Sequence, residues 1–259
     1  SVTLDLVERS ARRLPFSALA DRVVDLLAVR GPGSIGDGAL SADMVLAPEV
    51  GARLLAPIAA AFVDQPRETV AALLDCGLEG AAGSTEVTLV DDGRFQRGPT
   101  PAPIDGEGVP TGARVLIDGG RLGETVLPWD RSGRAIGSRA RPGWRDLPRV
   151  ALSHCFVVPR DEVAPAALLS ELADGFYLLD AGEGGRYDLA GGSFSLPVWG
   201  FRIAGGRPLH PLGETSLVGD PRRLLHAVCG VARDLRFVPL RAMIGSPSLL
   251  VRGLALRQD

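Results

Sequence analysis

The feature that most constrains the fold is a series of short apolar segments, broken by glycine, that begins near residue 87. The segments are rich in β-branched or aromatic residues and bounded by Gly, Pro or Asp, as in EVTLVDDG, ARVLIDGGRLG, RVALSHCFVVP, GFYLLDAGEGG, GSFSLPVWGFRIAGGRP and SLLVRGLAL. Such runs are typical of β-strands, and glycine supplies the positive φ that tight hairpin turns need. From here on the chain is predicted to form a mostly antiparallel sheet.

Helical patterns precede this region. Residues 3–29 form two amphipathic stretches separated by a proline, with apolar faces made of Leu4, Val7, Ala11 and Leu14 and of Leu19, Val23, Leu26 and Leu27. A glycine-rich connector follows at 31–38. The segment 42–48 resembles a short strand, and Pro48 suits the first turn of the next helix. That helix is predicted to end near Asp64, and another to run from Pro66 to Leu74.

Two more helices are predicted inside the strand-rich region. Residues 163–175 end at a glycine, and residues 220–235 begin with an Asp N-cap followed by a proline. The Gly- and Arg-rich segment 130–146 shows no periodicity and is predicted to be a long surface loop. This order predicts an α+β fold in which N-terminal helices precede a mostly antiparallel domain with two packed helices. Residues 1–40 form the helical segment and linker, and 41–259 the main domain.

Composition excludes several kinds of function. The net charge is −3, every basic residue is Arg, and no basic stripe is present, so nucleic-acid binding is not expected. The absence of Lys excludes a lysine Schiff base and a phosphate-loop lysine. No apolar run approaches the length of a membrane span. The three cysteines lie far apart, and this odd number favours a reducing cytoplasm.

Few residues are candidates for chemistry. Ser153, His154 and Cys155 are consecutive, but in a strand the serine and the cysteine face one way and the histidine the other, so a catalytic pair needs a partner from elsewhere. His210, between prolines, is expected on the surface. His226 and Cys229 are predicted to share a helix face, where packing is favoured over metal binding.

The succession of motifs in the C-terminal half resembles the TldD/TldE (PmbA) family of two-subunit metallopeptidases. The resemblance runs from about residue 43 to residue 253. Its pieces are Gly175–Tyr177, Gly184–Gly185 with Asp188, Gly192–Ser195, Gly200–Ile203 with Gly205–Gly206, Pro211–Gly213 and Leu217–Gly219, preceded by Asp105, Glu107, Gly108 and Pro110. It implies a strand-rich domain of the TldD/PmbA C-terminal type. Family members usually carry a further N-terminal domain, so the short N-terminal segment is expected to be a natural short form or a truncation.

The resemblance also implies where a zinc site would stand. Catalytic subunits of the family carry an H-E-x-x-x-H helix whose Glu is the general base, with a cysteine near the C-terminus completing the site. Here the matching stretch is Pro48–Arg53, so a proline and an arginine replace the two histidines, and Cys229 is not the equivalent cysteine. Glu49 is expected to be a leftover, paired only with Arg53 four residues later.

The leading interpretation is a zinc-less, TldE-like subunit that shapes a peptide-binding cavity, while a TldD-like partner supplies zinc in a heterodimer or larger assembly. No cofactor is expected in this chain. One alternative is a repurposed enzyme acting on a peptide-like or amide metabolite without metal, with Ser153, His154, Cys155 or Glu49 as weak catalytic candidates. A structural assembly module is the other. A cytoplasmic location is predicted, and the substrate stays open.

Overall fold

A computed structural model describes residues 16–35 and 39–258, so the first amphipathic stretch lies outside the described residues. The helices there are α1 Phe16–Ala28, α2 Pro48–Ala60, α3 Arg67–Leu73, α4 Trp129–Ser132, α5 Pro165–Glu171 and α6 Pro221–Ala227. The strands are β1 Ala39–Leu46, β2 Leu89–Asp92, β3 Ala113–Asp118, β4 Arg121–Leu122, β5 Arg139–Ala140, β6 Arg149–Val150, β7 His154–Val157, β8 Asp174–Ala181, β9 Arg186–Asp188, β10 Ser193–Ala204, β11 Arg207–Pro211, β12 Thr215–Gly219, β13 Val228–Val231, β14 Arg236–Pro239, β15 Met243–Ser246 and β16 Leu249–Arg257.

The larger sheet runs in the order β1-β8-β10-β12-β16-β13, with β9 and β11 paired to β10. β1 pairs with both β8 and β16, so five strands form a closed ring of neighbours. Closure satisfies strand edges that an open sheet would leave exposed. A second sheet has the order β14-β15-β7-β2-β3-β4, and β5 pairs with β6 apart from both.

Helix α2 lies between the two sheets. It contacts β8 of the larger sheet and β14 and β15 of the second. Its apolar side chains Val50, Leu54, Leu55 and Ile58 are fully buried in the core that joins the layers. The helix begins at Pro48, whose missing N–H would have had no helical partner in any case. Burial of these side chains fixes which face of α2 points into the core.

The expectation of mostly antiparallel strands needs correction, because each main sheet is mixed. β1 pairs with β8, and β15 with β7, in parallel, whereas the other pairs are antiparallel. Parallel neighbours require a long crossover between them, and here many residues and several other elements separate each pair. Glycine turns signal hairpins, but they carry no information about pairings between distant strands. The fold is a strand-rich mixed α/β arrangement.

Several helix boundaries also differ from the prediction. The helix predicted over 220–235 ends at Ala227, and the next four residues form β13, which pairs with β16. The Asp220 side chain does accept the Arg222 N–H, so the predicted N-cap is confirmed. The helix predicted over 163–175 spans only Pro165–Glu171, because β8 begins at Asp174. Likewise α2 ends at Ala60.

The segment 130–146 is tied to the rest of the fold by the Asp105 carboxylate. One oxygen accepts the backbone N–H groups of Glu107 and Val109, at 2.9 and 3.0 Å, and the other those of Ser138 and Arg139, at 3.0 and 3.1 Å. Although partial burial raises it, these hydrogen bonds hold the pKa of Asp105 below its ordinary value. The segment contains β5 and most of α4, and the Asp105 hydrogen bonds to Ser138 and Arg139 anchor it.

Candidate functional site

Glu49, in the first turn of α2, is held by two arginines from other elements. Its carboxylate accepts a hydrogen bond from Arg22 of α1 at 3.0 Å, and the Arg236 guanidinium of β14 lies 3.5 Å away. Arg22 also donates to the Leu179 carbonyl at 2.9 Å. Within the described residues Glu49 forms no ion pair with Arg53, so the prediction that these two residues pair is wrong. Glu49 instead joins α1, α2 and β14.

Arg53, one turn further along α2, faces a cavity of about 410 Å³. The cavity lies between α2, the turn that leads into β9 and the segment that joins β14 to β15. Its wall is largely apolar and consists of Arg53, Ala56, Pro57, Ala60, Leu152, Gly182, Glu183, Gly185, Tyr187, Leu196, Leu240, Arg241, Ala242 and Ile244. A small concave site of this character is the usual form of a ligand pocket.

Few polar groups converge on this cavity. Arg53 is half-buried and makes no hydrogen bond or ion pair with any residue in the described ranges. Tyr187 stacks on Phe194, and burial raises the pKa of its phenol to about 12, opposed by the positive charge of Arg53. Tyr187 therefore stays neutral and can donate or accept a hydrogen bond. Glu183 and Arg241 are exposed at the rim.

The residues at this place do not fit a zinc ion. Pro48 has no side-chain donor, and Arg53 is a permanent cation that repels a metal. Glu49 is committed to two arginines. In the part of the chain that the structure describes, no three His, Cys, Asp or Glu side chains form a group that could hold a metal ion.

The Ser153–Cys155 segment lies at the start of β7, and both ring nitrogens of His154 contact backbone groups. The Thr100 N–H lies 3.2 Å from His154 Nε2, which must accept, so Nδ1 carries the proton and donates to the Asp92 carbonyl at 3.2 Å. Burial lowers the pKa of His154. The imidazole is buried and neutral, with both nitrogens used.

Cys155 is fully buried, and burial raises the pKa of its thiol well above the ordinary value. A thiol in this setting is a poor nucleophile. The Ser153 N–H donates to the Asp91 carboxylate at 2.8 Å, and no hydrogen bond of the described residues joins the Ser153 hydroxyl to a histidine. Catalysis by Ser153, His154 or Cys155 stays a prediction that this geometry does not favour.

The other two histidines do not enter the cavity. His210 is exposed in β11, as expected, with Nδ1 3.1 Å from the Pro211 carbonyl. His226 is exposed in α6. Cys229 lies in β13, where its Sγ is 3.5 Å from the Leu250 carbonyl, so the helix face predicted for His226 and Cys229 does not exist.

The sequence does not indicate that Arg53 faces a cavity. In the sequence, Arg53 stands out only as a replaced zinc ligand and as a partner for Glu49 four residues away, and no pattern singles out Tyr187. One signal in the sequence points to Arg53: it is a cation, and the residues three and four positions later on α2, Ala56 and Pro57, are apolar. A cation on such a face is unusual for a helix that packs in the core. The partners that build the cavity, such as Leu152 and Ile244, are distant in sequence.

The chain belongs to the PmbA/TldD family, since residues 40–258 match the PmbA/TldA metallopeptidase C-terminal domain. This confirms the resemblance. A metalloprotease of Methanothermobacter thermautotrophicus is 30% identical over 170 residues, which cover 62% of this chain and 37% of that protein. A TldD homologue of Buchnera aphidicola is 23% identical over 175 residues, covering 65% and 35%. The chain thus spans a little over a third of these relatives.

A solved structure shares the fold. TldE from Thermococcus kodakarensis superposes with a TM-score of 0.77 at 16% identity, covering 96% of this chain and 57% of that one. At this identity the similarity concerns the fold alone. No helix in the described ranges is long and apolar enough to cross a membrane.

Proposed function

We propose that this chain acts as a zinc-less, TldE-like subunit of a TldD/TldE-type peptidase. Its cavity beside α2 binds part of a peptide, while a TldD-like partner supplies the metal and the general base. The observation that carries the proposal is that an apolar cavity lies against α2 and is lined by Arg53. As the family resemblance implies, catalytic subunits have zinc ligands at the positions of Pro48 and Arg53. The binding surface is kept without the metal ligands.

The state of Glu49 supports a non-catalytic role for α2. A general base needs a carboxylate free to take a proton from water. The Glu49 carboxylate is instead shared by Arg22 and Arg236, and only 18% of its side chain is exposed. Glu49 therefore serves to attach α1 and β14 to α2.

The proposal is tested by co-expression with a TldD-like protein and native mass spectrometry. We expect a hetero-oligomer in which peptide hydrolysis needs both chains and stops with a chelator. Ala56→Trp fills the cavity and is expected to reduce hydrolysis at least tenfold, whereas Ala167→Trp, on the exposed side of α5, is its matched control.

Two results would overturn it. One is a TldD-like protein that is fully active alone while this chain stays monomeric. The other is amide hydrolysis by this chain alone in chelator, abolished by Cys155→Ala, which would establish the alternative of a metal-independent enzyme.

A further inference from the structure

We infer that the cavity beside α2 captures a ligand with an apolar body and a terminal carboxylate, and that Arg53 holds the carboxylate. The C-terminal residue of a peptide has this chemistry. The inference rests on the proposed function, because it names the class of ligand that the same cavity takes.

The first argument concerns charge. Arg53 is half-buried in a largely apolar wall, and no carboxylate or carbonyl of the described residues accepts a hydrogen bond from it. The Arg53 nitrogens are not among the fully buried unpartnered atoms of the described residues, so water reaches them in the free protein. An anion that replaces this water inside the apolar cavity forms a charged hydrogen-bonded pair, which is stronger than a neutral hydrogen bond. Glu49, one turn earlier, already pairs with Arg22 and Arg236 and offers no compensation.

The rim does not neutralise Arg53 either. Glu183 and Arg241 are both exposed there and carry opposite charges, so the three charged residues of the lining leave a net charge of +1. Neither Glu183 nor any other described carboxylate lies within ion-pair distance of Arg53. An anion entering the cavity therefore meets an uncompensated positive charge at its inner wall.

The second argument decides which anion fits. The planar guanidinium fork matches a carboxylate with two parallel hydrogen bonds. A phosphate would bring more charge into a wall made mainly of apolar side chains such as Leu152, Leu196 and Ile244, where its dehydration has a larger cost. The neutral Tyr187 phenol beside Arg53 can add one hydrogen bond without repelling the anion.

The third argument concerns the body of the ligand. A volume of about 410 Å³ lies at the lower end of ligand pockets, so the cavity accepts a short apolar group and not a long folded segment. Ala56, Pro57 and Leu196 offer apolar contacts without further hydrogen-bonding groups. A leucine-like terminal residue is the simplest ligand that meets both requirements.

The experiment measures binding of two labelled peptides to the full chain, alone and with its TldD-like partner, by fluorescence anisotropy. The peptides share a sequence ending in Leu and differ only in a free C-terminal carboxylate or an amide. We expect the acid to bind roughly ten- to a hundredfold more tightly, the range for a charged hydrogen-bonded pair. Arg53→Gln should remove this preference and Arg53→Lys should keep part of it, whereas Arg223→Gln, on the exposed face of α6, should leave it unchanged.

Folding of each variant is checked by circular dichroism and thermal unfolding. Competition with N-acetyl-leucine identifies the source of the carboxylate: competition by this small acid as strong as that by the unlabelled peptide supports capture of a free metabolite, and weak competition supports a peptide terminus.

Equal binding of acid and amide, with both abolished by Ala56→Trp, would overturn carboxylate capture and leave the proposed peptide cavity intact. An acid preference that survives Arg53→Gln and disappears with Arg241→Gln would overturn the assignment to Arg53. Absence of binding by either peptide, with and without the partner, would overturn both the inference and the proposed function.

Discussion

Asp91 provides a quantitative test of the structure, because it is a carboxyl group buried in the second sheet. Its side chain is 1% exposed and accepts the Ser153 N–H at 2.8 Å. Arg114 lies opposite it on β3, but the guanidinium of Arg114 donates to the Ile136 carbonyl at 2.6 Å, and no direct ion pair with Asp91 is present among the described residues. Burial is the main cause that raises the pKa of Asp91 to about 6.

A raised carboxyl pKa makes the protein less stable as pH rises. The folded state binds a proton up to about pH 6, whereas the unfolded chain releases it near the ordinary value of 3.8, so the cost builds between these values. This difference between the folded and unfolded pKa lowers the free energy of unfolding by about 3 kcal/mol when Asp91 is ionised in both states. Most of this cost is absent at pH 4 and present at pH 7.5.

The test is Asp91→Asn, which removes the titration and keeps an oxygen that can accept the Ser153 N–H. We expect the free energy of unfolding of the wild type, relative to the variant, to fall by roughly 2 to 3 kcal/mol between pH 4 and pH 7.5, measured by urea denaturation across the range. Comparing the two proteins cancels the contributions of other titrating groups. Asp118→Asn, which removes an exposed carboxylate from β3, controls for loss of charge.

A difference between wild type and Asp91→Asn that stays constant to within about 0.5 kcal/mol over this range would refute the reasoning, because the linkage relation requires a slope if the folded pKa is raised. The same result would mean that Asp91 is paired or hydrated in solution.

Three further variants test the attachments and turns of the fold. Glu49→Gln should lower the free energy of unfolding by about 1–2 kcal/mol, because it weakens the charged hydrogen bond from Arg22 that holds α1; urea denaturation measures it. Asp105→Ala should lower the free energy of unfolding by about 2–3 kcal/mol at pH 7, because four backbone N–H groups lose their acceptor. It should also speed hydrogen exchange of the amides at 138–139. Because the folded pKa of Asp105 is lowered, its contribution is present at neutral pH and lost in acid. Gly120→Ala should lower the free energy of unfolding by about 2 kcal/mol or more, measured by thermal unfolding, because Gly120 has φ +79° and an added Cβ would clash with the Gly83 carbonyl oxygen.

Each of these has a matched control. Glu171→Gln removes an exposed carboxylate that also pairs with an arginine and should cost less than about 0.5 kcal/mol. Asp105→Asn keeps one acceptor oxygen and should be milder than the alanine variant. Gly108→Ala adds a Cβ at φ +83° in open space, so it measures the backbone cost alone. If a test variant and its control lowered the free energy of unfolding equally, the cause assigned to the test variant would be contradicted.

The sequence by itself determined the features that depend on neighbouring residues. Glycines between β-branched runs indicated the hairpins, Asp220 followed by a proline indicated the start of α6, and Pro48 indicated the start of α2. These signals act through local backbone geometry and nearby hydrogen bonds, so they can be read without knowing the fold. The order of the motifs also sufficed to recognise the family.

The tertiary structure decided what depends on distant partners. Residues 228–231 continue a helical pattern, yet they form β13 because the edge of β16 supplies their hydrogen bonds. Arg53 faces a cavity, and Asp91 is a buried acid, only because strands far away in sequence pack against them. Local propensity amounts to tenths of a kcal/mol per residue, whereas sheet pairing and burial contribute much more in total, so long-range packing decides such positions.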